Sequence, residues 1–547
     1  MKNPKISNRV FKSKPLLGLR RFSPYQIEHN DEGKRIRIFW PRLFLWLLVL
    51  GLFSWTALTA GVFFYLKHHR DYTTVSYNHL FFYPWKSKEY RQARSQFLVQ
   101  KGKEQFDNKQ YLEAFMNIRL GLFEVPEDTE ARTKVVEFYV ALKRHDMAEK
   151  TLADGLPYNK EDWDYVMTYF RYLFSRQLDE RVIEISQRLQ NEKIKNPKVR
   201  HALVMAEASA NYFRGRYNRA GALLQGEFMA DAGDAKMLSA QILWHRGQID
   251  SALNALADLS SGRGSNEEIY TVRIGFLQEL GRLNDVRSLA ILRQLEEPTS
   301  YRGFIDELFA LNPDTEPMRW SAAVTEVFLR FPEKAEAMTE LANLASKQGQ
   351  VDLGWRVYRH CLQKDLPWMS AAFGVVEAHF STKRYGDALT AIQTITDEHT
   401  DWAAKNPLDF AALKAIATYG LGDKPVAEIL IQSYLEKGPV LSQNLIQVAK
   451  RMEQVGALDH AHSVLNKAIE INAFNQEALT RLIELDLQME STEGLIKNTE
   501  RMLTMRNPSK ALLGTMQEFL ESDIYLMQPG RAGLMQKLGV RLAEVEL

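Results

Sequence analysis

Two hydrophobic patterns divide this chain. From Leu43 to Leu66 no residue is charged, and Arg42 and Lys67 close the run on either side. A helix of that length spans about 36 Å, enough to cross a bilayer with some tilt. From about residue 95 the apolar positions recur at helical spacing in segments of about ten to fifteen residues, with short polar turns between them. Long alternating β-branched runs are absent. The pattern predicts an all-α chain, a single N-terminal transmembrane helix followed by an α-solenoid of helix hairpins.

Inside the uncharged run the notable polar side chains are Ser54, Thr56 and Thr59, whose hydroxyls can return to carbonyls of their own helix. Trp40, Tyr65 and Trp85 stand near or beyond its ends and are expected at the membrane interface. The alternative is a cleaved secretion signal, against which the run is longer than the usual apolar region and the segment before it unusually long. Ala57 and Gly61 form a small-xxx-small pair, a spacing too common to predict helix pairing by itself.

The long C-terminal part repeats. An apolar residue, then Ala three positions later, then an apolar residue four later, occurs as Tyr111–Ala114–Ile118, Tyr217–Ala220–Leu224, Ile249–Ala252–Leu256, Tyr385–Ala388–Ile392 and Leu458–Ala461–Leu465. Ala114 and Ala148 are 34 apart, as are Ala427 and Ala461, and Ala461 and Leu495; Val286 and Gly354 are twice that. A second position, mostly small, recurs twelve residues earlier, at Gly102, Val136, Ala208, Ala240, Ala342, Ala415 and Ala449. Small residues at two fixed places let the two helices of a hairpin approach closely. A fixed period of this kind marks a stacked array in which each unit completes the core of its neighbour.

This pattern resembles the tetratricopeptide repeat family, with Gly102, Tyr111, Ala114, Ile118, Gly121 and Pro126 at the family's offsets in the first unit. The resemblance covers roughly residues 95–510. The unit around Arg181 lacks the small residue, and 291–331, with its LEEP and NPDTEP turns, departs from the period and is expected to be irregular. The chain therefore reads as a basic tail at 1–38, expected to be disordered, a transmembrane helix at 39–66, an aromatic juxtamembrane connector at 67–94, the solenoid at 95–510 and capping helices at 511–547.

Charge adds an orientation. Residues 1–42 hold eleven basic and three acidic groups, while the whole chain holds 70 and 68, leaving 59 basic and 65 acidic groups in the remainder. A basic N-terminal flank predicts a cytoplasmic N-terminus and a C-terminal part across the membrane. The acidic balance of that part argues against nucleic acid.

No catalytic constellation stands out. HExxH, GxxxxGK[ST] and GxSxG are absent, and the Gly262/Gly264 segment is a loop with no strand before it. His460 and His462 point to different faces of one helix, and His68 and His69 read as a solvated pair beside the membrane. The lone Cys361 sits at a packing position and excludes a four-cysteine metal module. No cofactor, no metal and no catalytic residue is expected. The resemblance implies that ligands bind in a concave groove lined by the first helix of each pair. Phe106, Tyr212, Trp244, Phe380 and Tyr419 share one position of that helix, either as an aromatic ladder for a partner protein or as packing against the next helix. The subtype that clamps a C-terminal carboxylate needs a Lys where Thr339 precedes Asn343. The expectation is a non-catalytic bacterial inner-membrane scaffold binding other envelope proteins in the periplasm. The alternatives are a cytoplasm-facing adaptor that recruits a soluble regulator, and an accessory subunit of polysaccharide synthesis or export.

Overall fold

The computed structural model describes residues 23–30, 33–70, 72–226, 229, 232–260, 267–408, 410–437, 441–491, 494–506 and 509–544. The chain forms two compact units, Met1–Tyr169 and Phe170–Leu547. Apart from one small hairpin, the regular elements among the described residues are helical.

The first unit opens on that hairpin. Strands β1 (Tyr25–Asn30) and β2 (Gly33–Ile38) pair antiparallel, Tyr25 opposite Ile38 and Asn30 opposite Gly33. The tail expected to be disordered is thus paired over its described part, and residues 1–22 lie outside the described residues. Tyr25 and Ile27 alternate with polar residues before the turn, and Ile36 and Ile38 after it. Two short strands of that kind are easily hidden in a strongly polar segment.

Helix α1 (Trp40–His68) follows directly, with Pro41 in its first turn. Among the described residues it is the one helix long and apolar enough to cross a membrane. The hydroxyls of Thr56 and Thr59 donate to the carbonyls of Leu52 and Trp55, within their own helix. The connector then holds the short helix α2 (Tyr77–Phe81) and leads into α3 (Tyr83–Asp107) and α4 (Tyr111–Glu124), the first hairpin. Its helices touch at two glycines. A Cβ on Gly102 would clash with Ile118 Cγ1, and one on Gly121 would stand 2.7 Å from Val99 Cγ2.

From α3 onwards each unit is built from helix pairs. The spacing read from sequence becomes a structural register. Ala114, Ala148, Ala220, Ala252, Val286, Gly354, Ala388, Ala427 and Ala461 are each the fourth residue of the second helix of a pair, and all are buried. In the helix Asp179–Asn191, around Arg181, Val182 fills that position and is fully buried. The region 291–331 holds a short helix, Arg302–Ala310, joined to Pro317–Arg330 by the Asn312–Glu316 turn.

A shared turn joins the pairs. Two residues before the second helix, Lys109, Lys143, Gln177, Gly215, Gly247, Gly281, Gly349, Lys383, Gly422 and Gly456 all take a left-handed conformation. The next N–H bonds back five residues, as Gln110 to Gln105 and Arg216 to Asn211 do, the closing bond of a Schellman cap.

The last helices of the second unit pack against its first. Arg506 donates to both carboxylate oxygens of Asp179 and, at 2.9 Å, to the Phe174 carbonyl, with its guanidinium 4.2 Å from the Phe213 ring. Arg541 donates to the Arg214 carbonyl, and Arg216 bridges Glu180 and Glu544. The Arg531–Glu544 helix therefore does more than shield the end of an array: it returns to where the unit begins.

Candidate functional site

The five aromatic residues singled out by spacing occupy one structural position. Phe106, Tyr212, Trp244, Phe380 and Tyr419 are each the penultimate residue of the first helix of a pair. Each carbonyl accepts the N–H of the left-handed turn residue, as Phe106 does from Lys109 and Phe380 from Lys383. Their rings lie at the hairpin end and pack locally. Phe106 meets Tyr111 and Phe138, and Tyr212 meets Tyr217 and His245. Trp244 stacks on Phe276 at 3.9 Å, Phe380 leans on Tyr385, and Tyr419 meets His460 edge-on. Phe380 is buried, Tyr212, Trp244 and Tyr419 are half-buried, and Phe106 is exposed. Burial pushes the Tyr212 phenol up to about 12, so it stays neutral. The structure packs these rings at the turns, Phe380 within its own pair and Phe106, Tyr212, Trp244 and Tyr419 also against the next pair.

A groove that the sequence pattern did not flag lies on the second unit. It has a volume of about 540 Å³ and is lined by Phe328, Asp352, Trp355, Arg356, Arg359 and His360 among others. The Arg356 guanidinium sits 4.4 Å from the Phe328 ring centre, and that of Arg359 sits 5.8 Å from Trp355. Arg356 and Arg359 are both exposed, and neither forms an ion pair with a described residue. Trp355 and Arg359 are four apart on one helix, Val351–Gln363, so they share a face. That spacing was legible, but the Phe328 ring comes from the preceding pair.

A stiff cluster stands behind the groove. Trp355 meets Tyr358 edge-on, and the buried Tyr358 hydroxyl donates to Glu398 at 2.7 Å and lies 2.9 Å from His399 Nε2. The His399 ring stacks on Trp368 at 3.9 Å, and Trp402 closes edge-on against Trp368. Burial and the Glu398 carboxylate hold the Tyr358 phenol well above its usual range. The Tyr358 hydroxyl is held by both Glu398 and His399, and ring contacts carry that order out to Trp355.

Among the described residues no group of three or more His, Cys, Asp or Glu could hold a metal ion. Cys361 is buried, and burial raises its thiol, which disfavours the reactive thiolate. His462 bonds the fully buried Asp486, whereas His460 meets Tyr419, so the two do not converge. Of the residues expected at the membrane interface, Trp40 begins α1, Tyr65 stands near its end against His69, and Trp85 lies in the first turn of α3, 82% exposed.

No protein-family model matches the chain, and no curated protein does. A solved structure of Naa15/Naa10 bound to HypK-THB is similar at 14% identity and a TM-score of 0.29, covering 90% of this chain and 79% of that one. A likeness this slight bears on nothing that follows.

Proposed function

We propose that this chain is a non-catalytic scaffold of the tetratricopeptide type, anchored by α1 in a bacterial inner membrane, that holds other envelope proteins against its helix pairs on the periplasmic side. The observation that carries the reading is the groove at Phe328, Trp355, Arg356 and Arg359. Two guanidinium groups without acidic partners lie against aromatic rings, preorganised for an acidic segment of a partner. The repeated helix pairs supply a rigid frame, and the basic excess before α1 supports the orientation.

Crosslinking and pull-down from membranes test the scaffold, with Arg356→Glu and Arg359→Glu combined as the variant. Both side chains are exposed, so the fold is expected to survive while captured partner falls about tenfold or more; unchanged capture refutes the groove. Alkaline phosphatase fused after Leu547 tests the orientation, and an inactive fusion places the helix pairs in the cytoplasm instead.

A further inference from the structure

The connector does not lead straight away from α1. Beyond His68 the chain turns, and α2 comes back to lie beside α1. The Trp55 indole N–H donates to the Phe81 carbonyl at 2.9 Å. The Tyr77 hydroxyl lies 3.2 Å from that of Thr59 and donates to the Thr56 carbonyl at 3.4 Å, and its ring meets Phe63 edge-on. Trp55 precedes His68 by about 20 Å of helix. The elbow between α2 and α3 therefore stands at a level well inside the uncharged run.

The elbow has two unlike sides. On the inner side Val75, Leu80 and Ala93 are buried against Phe63, Leu66, Tyr72 and Tyr90. At the tip Phe82 and Tyr83 are exposed, and Trp85 is the most exposed aromatic ring of the connector. Basic residues follow up α3: Lys86, paired with Glu89 at 3.0 Å, then the exposed Lys88 and Arg91. An aromatic tip backed by lysine and arginine is the profile of a segment seated at the boundary between acyl chains and phosphates.

We propose that this elbow is a second membrane contact of the chain, with Phe82, Tyr83 and Trp85 among the acyl chains beside α1 and Lys88 and Arg91, further along α3, reaching towards the phosphates of an anionic leaflet. The proposal rests on α1 lying in the bilayer. The uncharged run is about 36 Å long against a hydrocarbon core of about 30 Å, so the helix tilts. The tip stands level with Trp55, near the middle of that run, and the first hairpin, which continues from the elbow as α3, is held at a set angle to the membrane.

Nitroxide depth measurements on the full chain test this. With Cys361→Ala as background, single labels are placed through Leu48→Cys in α1, Trp85→Cys at the tip and Phe123→Cys on α4. All three sites are exposed, so labelling leaves the packing intact. The protein is reconstituted in vesicles of phosphatidylethanolamine and phosphatidylglycerol, and access to oxygen and to a nickel chelate is compared. The expected result is nickel access at Leu48 and Trp85 several-fold below that at Phe123, with oxygen access raised at both. Nickel access at Trp85 equal to that at Phe123, with Leu48 protected, overturns the elbow and leaves the anchor standing. Open nickel access at Leu48 overturns both.

Discussion

At ten hairpin turns one residue is left-handed, and only six of the ten are glycine. The left-handed region costs a side chain about 1–2 kcal/mol, partly offset by the larger entropy that glycine loses on folding. Gly281→Ala is therefore expected to destabilise its unit by about 1 kcal/mol, and Lys143→Gly to stabilise its own by a similar or smaller amount, read as opposite shifts of the urea midpoint. Sequence could not mark the positions held by Lys or Gln, because these residues carry no turn signal. A buried charge gives a second residue-level test. Arg293 is 2% exposed and pairs with Glu267 and Asp306, each at 2.6 Å. Burial lifts the Asp306 carboxyl to about 6, against the pull of Arg293. The folded state thus holds the Asp306 proton more tightly than the unfolded chain does, where the group titrates near pH 4. Its contribution to stability is full below about pH 4 and is lost as pH rises through 6. The shift of about two units corresponds to at most about 3 kcal/mol. Denaturation curves at pH 4 and pH 7 should show this loss in the wild type and a smaller one in Asp306→Asn; equal losses would refute it.

At the scale of elements, the register of small residues decides how closely helices approach. A Cβ on Gly374 would stand 2.9 Å from the carbonyl oxygen of Ala342, a backbone atom of the helix Ala335–Gln348. Gly275, in the helix Glu267–Glu279, has nothing within 4 Å of that point. Alanine gains up to about 1 kcal/mol in helix propensity at either site. At Gly374 that gain is outweighed, because two helices must separate and overpacking costs about 1–3 kcal/mol. Gly374→Ala should lower the midpoint of thermal unfolding and Gly275→Ala should raise it; shifts of the same sign would show that backbone approach does not matter. This was the scale most legible in sequence. The recurring Ala positions from Ala114 to Ala461 identified both the helices and the buried face, since small residues at a fixed offset have one packing explanation. The aromatic position was legible as a position but not as an environment. Phe106 and Phe380 share a place in their helices yet differ in exposure because their neighbours differ. The hairpin at Tyr25–Ile38 escaped notice because period-two alternation over so few residues is weak.

At the scale of the whole molecule, the contacts that join the end of the second unit to its beginning link residues about three hundred positions apart, and a periodic pattern reports only on adjacent repeats. In sequence Arg506, Arg541 and Asp179 look like ordinary surface charges. In the structure Asp179 is 1% exposed and bonded on both oxygens by Arg506, while the Gln177 amide reaches the Phe474 carbonyl and Arg176 covers the Phe474 ring. Removing one partner of such a buried pair costs about 3–5 kcal/mol, because the other charge is left without water or counter-charge. Arg506→Ala should therefore release the closure before it unfolds the helix pairs, each of which keeps its neighbours. Spin labels at Glu184→Cys and Lys537→Cys, again with Cys361→Ala, report the distance across the junction. The wild type should give one narrow distribution, and Arg506→Ala a longer and broader one with helix content unchanged by circular dichroism. Salt near 1 M should leave the wild-type distribution narrow, because screening acts on exposed charges and Asp179 has almost no exposed surface. A distribution that opens with salt alone would instead assign the closure to the outer pairs of Arg216 with Glu180 and Glu544. An Arg506→Ala distribution identical to wild type would show that apolar packing at Phe174 and Phe213 holds the junction without the ion pair.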